Sequence, residues 1–258
     1  MKNNRLRMIS GFILLLCVIG LVVPALAQDG TAWITLADNG IEANYTGVQT
    51  EGSRLTITQP GEYVLTGSLS NGQIVVDSEE DGKVKLYFAG VSIHCEDGPA
   101  VYIKKCSPRV SIELTENYEN DLSDGAVYAD PQSKVDAVIF SKSDLTITGK
   151  GSLSVKGAYR DGIVSKDDLR FKGGKISVEA VHNGICGKDA VEIYAGDITV
   201  HAGNDGIKST NDDPEWGYIR IEGGTVSITC GDDPLKVVHA LSVTNSTVNV
   251  KVDASLKK

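Results

Sequence analysis

Aromatic side chains are scarce in this chain, at 6% of 258 residues with four Phe and two Trp, whereas Gly occurs 28 times. That balance suits a turn-rich β architecture better than a helical one. Basic residues are also in deficit, with 25 Lys and Arg against 34 Asp and Glu and a net charge of −9. An acidic surface repels nucleic acid and anionic lipid, which excludes nucleic acid as a partner, and it attracts divalent cations. Beyond residue 27 no apolar run is long enough to cross a bilayer. No EF-hand or zinc spacing is present, and His94, His182, His201 and His239 stand in no legible Ser/His/Asp grouping.

The first 27 residues read as a secretory signal peptide. Lys2, Arg5 and Arg7 precede an apolar run from Ile9 to Val23, and Ala25-Leu26-Ala27 forms a small-residue cleavage site before Gln28. The predicted mature protein, residues 28–258, is a single extracellular domain with no membrane contact and a net charge of −12. Export permits disulfides, and Cys95, Cys106, Cys186 and Cys230 allow three pairings. None of their spacings equals one sequence repeat, so at least two are expected to be buried, unpaired thiols.

What the sequence does contain is a repeat. "DGIVSKDD" begins at Asp161, "NGICGKDA" at Asn183 and "DGIKSTND" at Asp205, each 22 residues after the last. Apolar positions then fall into columns: Ile163, Ile185, Ile207 and Leu235; Leu169, Val191, Ile219 and Leu241; Ile176, Ile198, Val226 and Val248. Two residues further on lie Phe171, Ile193, Ile221 and Val243, and Val178, Val200, Ile228 and Val250. Along the Leu169 column the steps are 22, 28 and 22, so one six-residue insertion near "NDDPEW" explains the irregularity. Alternation with polar residues marks strands with one buried face. Three short strands per repeat, stacked coil on coil, predict an all-β parallel β-helix of about 22–24 residues per coil, each buried aliphatic contributing about 1.5–3 kcal/mol. Upstream, "DAVIFSKSDLTITGKGSLSVKG" from Asp136 makes one coil, and the pattern reaches back to Leu55. Between residues 116 and 134 the rhythm stops, which predicts a protruding loop.

Candidate chemistry lies on the outward columns. Acids stacked about 4.8 Å apart repel by about 0.9 kcal/mol in water and about 3.5 kcal/mol at an effective dielectric of 20. Such a column needs a counterion. One corner reads Asp161, Asn183, Asp205; the next reads Asp167, Asp189, Asn211 beside Asp168 and Asp212, with Asp213 following. Two readings follow, and they can hold at different corners: these acids bind Ca²⁺, whose preferred ligands are such hard oxygens, or they are neutralised by the neighbouring Lys142, Lys166 and Lys188. The insertion adds Glu215 and Trp216, an aromatic beside acids that suits sugar contact, with Tyr218, Tyr159 and Tyr128 as weaker candidates. Arg170, Glu192 and Arg220 alternate in sign as an ion-pair ladder would. Ser154, Ser177, Thr199, Ser227 and Asn249 make a flat hydroxyl-rich face. Were the protein a lyase acting on uronic acids, Lys166, Lys188, Lys208 or Arg160 would be its candidate bases.

The stretches "AVIFSKSDLTITGKGSLSVKG", "RDGIVSKDDLRFKGGKISVEA" and "NDGIKSTNDD" resemble the secreted bacterial carbohydrate-binding β-helix family, long catalogued as a domain of unknown function. The resemblance covers about Gly61 to Thr229. It implies a right-handed, single-stranded parallel β-helix similar to pectate lyases, with calcium at acidic turns and a plant cell-wall polysaccharide such as cellulose or pectin as partner. The acidic turn residues map onto Asp161, Asp167, Asp168, Asp189 and Asp205, with Asn183 and Ala190 departing from the pattern. The expectation is a secreted, monomeric, non-catalytic carbohydrate binder; a calcium-dependent pectate-type lyase and a structural or adhesive surface protein are the alternatives.

Overall fold

The computed structural model describes residues 31–257; the predicted signal peptide lies outside them. The chain winds as a parallel β-solenoid of about eight turns with almost no helix. One nine-stranded sheet carries one strand per coil, and a fourteen-stranded sheet carries the other two faces. Where those two faces meet, the long strands Asp168–Ala180 and Ala190–Ala202 bend through a register shift beside Gly173 and Gly174. Gly174, at φ +88°, takes a conformation that costs a side chain dearly.

The apolar columns are in direct register. Ile139, Ile163, Ile185, Ile207 and Leu235 follow one another on the first face. Leu145, Leu169, Val191, Ile219 and Leu241 do so on the second, and Leu153, Ile176, Ile198, Val226 and Val248 on the third. Through Ile207, Ile219 and Val226 these side chains are no more than 1% exposed. The glycine of each "DG" or "NG" corner sits where coils touch: a Cβ on Gly184 would lie 2.7 Å from the carbonyl oxygen of Gly206. Cys95, Cys106, Cys186 and Cys230 are all free and buried.

Two expectations are corrected. Residues 116–134 are not one loop, because Glu119–Asp124 is a strand paired with Ser92–Cys95 on one side and Ser152–Lys156 on the other. Its rhythm is hidden because Asn120 occupies the inward position that Leu153 fills in the next coil. The Asn120 side chain is 1% exposed, accepts from the Gly90 and Val91 amides and donates to the Ser152 carbonyl, which satisfies a polar group in an apolar stack. The protruding segment is residues 125–136, and it folds back so that Tyr128 and Val135 cover Phe140, Val164 and Cys186 on the outside of the nine-stranded sheet. The second correction concerns the last coil. Leu241, Val243 and Val250 share the buried columns by register, yet they are 49%, 44% and 55% exposed, because no further coil packs on them among the described residues.

The stack therefore predicts a gradient of mutational cost. Ile198→Ala, in mid-stack, is expected to destabilise by about 2–5 kcal/mol, and Leu241→Ala by a small fraction of that. Paired denaturant titrations check the difference.

Candidate functional site

The corner Asp161, Asn183, Asp205 is a hydrogen-bonded ladder. Asp161 Oδ1 accepts from the Asn183 amide at 2.9 Å, Asn183 Oδ1 from the Asp205 amide at 3.3 Å, and Asp205 Oδ1 from the Asp233 amide at 3.4 Å. Each side chain thus ties its coil to the next. Asp205, fully buried, also pairs with Lys208 at 3.0 Å and Lys236 at 3.2 Å. Burial alone would raise its carboxyl, but the two lysines outweigh this and hold it below the usual range. Asp161 is likewise held low, where hydrogen bonds from His182 and Asn183 outweigh burial. Asp161 and Asn183 already accept within the ladder, from Asn183, His182, Asn204 and Asp205. Asp205, Asp232 and Asp233 bring one carboxylate oxygen each to within 4.8 Å of one another, close enough to hold a cation, while Lys208, Lys236 and Lys257 pair with them here.

A second cluster differs. Arg170 is gripped by Asp144 at 2.9 Å, Glu192 at 2.8 Å and Asp168, and Arg220 meets Glu192 from the other side at 3.0 Å. The predicted alternation Arg170, Glu192, Arg220 is thus an ion-pair ladder, and it recruits acids that the sequence columns kept separate. Asp168 is buried with its Oδ1 unpartnered. Burial, together with Asp144, Glu192 and Asp189, pushes its carboxyl up to about 6 despite Arg170. Asp167 is raised by burial and by Asp144 and Asp189. Acidic charge therefore exceeds compensation at Asp144, Asp167, Asp168 and Asp189, but Asp144 and Asp189 already accept from Asp168, Arg170 and Asn211, and the four do not bring three ligand oxygens together. Asp212 and Asp213 lie apart on the exposed insertion, where Asp213 accepts the Glu215 amide.

The aromatic candidates separate as well. Trp216 is 36% exposed and borders a concavity of about 260 Å³ with Pro214, Tyr218, Arg220 and His239. Tyr218 is half-buried, with Arg220 5.1 Å from its ring centre. Tyr128 is not available for sugar contact: its hydroxyl lies 2.6 Å from Asp124 Oδ2 and its ring is buried. Tyr159 stacks on that ring at 4.2 Å. A larger cleft of about 480 Å³ lies between the folded-back segment and the nine-stranded sheet, lined by Arg54, Gln73, Asp97, Tyr102 and Lys104. Sequence reading missed it, although Tyr102 stands at an outward strand position between the inward Val101 and Ile103. The hydroxyl face is continuous: Ser154, Ser177, Thr199, Ser227 and Asn249 stand in register.

Of the candidate bases, Lys208 is tied to Asp205, and Arg160 lies 3.6 Å from Asp136. Lys166 is exposed over the Phe140 ring, and Lys188 is exposed 3.8 Å from Asp189. The residue that sequence reading passed over is His182, whose Nδ1 lies 2.7 Å from Asp161 Oδ1 and 3.4 Å from Arg160. No sequence motif marks the pair, since His182 and Asp161 meet only because they sit on successive coils.

The sequence profile of the family described as carbohydrate-binding domain-containing protein matches residues 51–258. A protein of that description from Acetivibrio thermocellus is 41% identical over 240 residues, covering 90% of this chain and 84% of the relative. Among solved structures, the polysaccharide lyase-like protein from C. thermocellum, determined as a gadolinium derivative, superposes with a TM-score of 0.83 at 37% identity, covering 86% of this chain and 91% of that one.

The Asp205 network sets an acid-side expectation. A carboxyl held low in the folded state adds stability that is fully present above the unfolded value near pH 4 and disappears as pH falls through the folded one. Asp205→Asn keeps an acceptor for the Asp233 amide, as Asn183 does for Asp205, and loses the lysine pairs. It is expected to cost about 1–2 kcal/mol at pH 7, with the gap from the parent narrowing toward pH 3 in thermal unfolding.

Proposed function

Because the chain belongs to the carbohydrate-binding domain-containing protein family, we propose that it is a secreted, calcium-stabilised, non-catalytic module that binds plant cell-wall polysaccharide through the Trp216 concavity. The observation that carries this reading is the exposed indole on the insertion, in a concavity it shares with Tyr218 and Arg220, both of which reach Glu192 of the ion-pair ladder. An indole face offers apolar area to the C–H face of a pyranose ring, and Arg220 and His239 supply polar contacts at its rim. The hydroxyl ladder, on the next face beyond the Gly223-Gly224 corner, repeats once per coil as a flat array along which an extended polymer could lie. A rigid platform binds with little ordering cost.

Calcium would be held by Asp205, Asp232 and Asp233, whose carboxylate oxygens lie within 4.8 Å of one another, in place of the lysine contacts these acids now make. A bound cation there would relieve the mutual repulsion of these acids and lock adjacent coils together.

A second reading, a lyase, is favoured by one contact. With its Nδ1 proton directed at Asp161, His182 presents Nε2 as a base. Abstraction of a uronate C5 proton by that nitrogen would form a C4=C5 double bond as the C4–O4 bond breaks, the departing O4 taking a proton from water, with Arg160 near enough to pair with the sugar carboxylate.

Titration calorimetry against polygalacturonate and cellulose, with calcium and again with chelator, separates these readings when ultraviolet absorbance is followed in the same mixtures. Heat without absorbance is expected, and Trp216→Ala should weaken binding about tenfold or more, about 1.4 kcal/mol. Absorbance that rises in the parent and vanishes in His182→Ala would instead establish the lyase. Calcium should raise the melting temperature of the parent and leave that of Asp232→Asn/Asp233→Asn unchanged.

A further inference from the structure

The two ends of the solenoid are built differently. At the N-terminal end the chain closes its own stack: Ala32–Leu36 pairs antiparallel with Glu42–Ala43, and Arg54–Ile57 with Val48–Glu51. Ile41 and Val48 pack onto the core from there, while Asp38, Glu42 and Glu51 face solvent. This end is polar, and its two caps are antiparallel to the stack.

Nothing comparable covers the C-terminal end among the described residues. Five of the eight exposed large hydrophobic side chains among the described residues belong to the last coil: Val238, Leu241, Val243, Val250 and Val252, at 44–57% exposure. Leu241, Val243 and Val250 continue the interior columns, so they present the cross-section of the core itself. The strands Leu235–Lys236, Ala240–Val243 and Thr247–Val252 are each hydrogen-bonded to a neighbour on one side only. The segment after them does not cross this end. The Asp253 amide bonds back to Cys230, Lys257 pairs with Asp232, and the Leu256 carbonyl lies over Gly203, all on preceding coils. An apolar patch bordered by three unsatisfied strand edges is what proteins ordinarily cover or block with charge, proline or a bulge.

We propose that this end is the interface of a two-fold dimer of the protein, in which two last coils stack face to face. The closed, antiparallel-capped N-terminal end gives the apolar end no matching surface for head-to-tail stacking, so a second apolar end is the complementary partner. The symmetry also fits the strands. A two-fold axis through Val250, near the middle of Thr247–Val252, the longest of the three, sets that strand antiparallel to its own copy with Val250 facing Val250. It exchanges the other two faces, so that Leu235–Lys236 meets Ala240–Val243 of the second copy. All three edges then gain partners, and the interior columns run on into the second copy. Such an isologous contact closes at two subunits.

Sedimentation equilibrium of the mature protein, over a wide concentration range, tests this. The parent is expected at twice the monomer mass, Leu241→Lys/Val250→Lys at the monomer mass, and Val127→Lys, which alters an exposed valine far from the end, at the parent's mass. Val250→Cys adds an exposed thiol to a protein whose four described cysteines are buried. It should form a disulfide-linked dimer on oxidation, a readout that survives if the double lysine variant does not fold. A parent that stays monomeric at every concentration, a Val250→Cys protein that forms no crosslink, or association that continues into open fibres would overturn the proposal.

Discussion

Everything in this molecule follows from stacking one coil on the next at the spacing of hydrogen-bonded parallel strands. Residues separated by one repeat are forced into contact, so each position must tolerate its own neighbours above and below. For aliphatic side chains the constraint is favourable: Ile163, Ile185 and Ile207 bury one another fully. Glycine is required where the corners come closest, since a Cβ on Gly162, Gly184 or Gly206 would meet the next coil's carbonyl oxygen. The strict 22-residue spacing is the sequence's record of that contact.

For charged positions the same stacking is unfavourable, and the protein resolves it differently at its two acidic corners. In the Asp161 column the middle member is the neutral Asn183, and each side chain accepts the amide of the coil above. At Asp205 two lysines complete the neutralisation. In the Arg170 cluster one guanidinium serves three carboxylates, and burial lifts the Asp168 carboxyl to about 6. The two corners thus differ in how stacked acid is balanced: amides and lysines neutralise the first, and shared guanidinium contacts leave acid in surplus at the second.

The outward faces have freedom that the interior lacks. A residue there needs only to be compatible with its neighbours in the column, so a six-residue insertion can raise Trp216 at one corner and a longer segment can fold back over another. Tyr128 and Tyr159 were spent on anchoring that longer segment, and its anchoring shapes the cleft around Tyr102. Binding surface and scaffold are therefore separable: loops change the first without disturbing the register that holds the second.

The repeat by itself determined the all-β class, the three strands per coil and the inward columns, because a period shared by apolar residues at matching offsets has one economical physical solution. It also located both acidic corners and the exposed Trp216. The tertiary structure decided what could not be read from spacing. Asn120, an inward polar residue satisfied by backbone amides, concealed a strand. The partners of Asp161, Asp168 and Asp205 come from other coils, so which acids are neutralised and which are in surplus depends on side-chain direction. Tyr128 and Trp216 look alike in sequence, yet one is sealed beneath a folded-back segment and the other stands open. Leu241 and Val250 carry the pattern of core residues and are exposed, because burial in a solenoid is supplied by the following coil and the pattern does not show where the coils end.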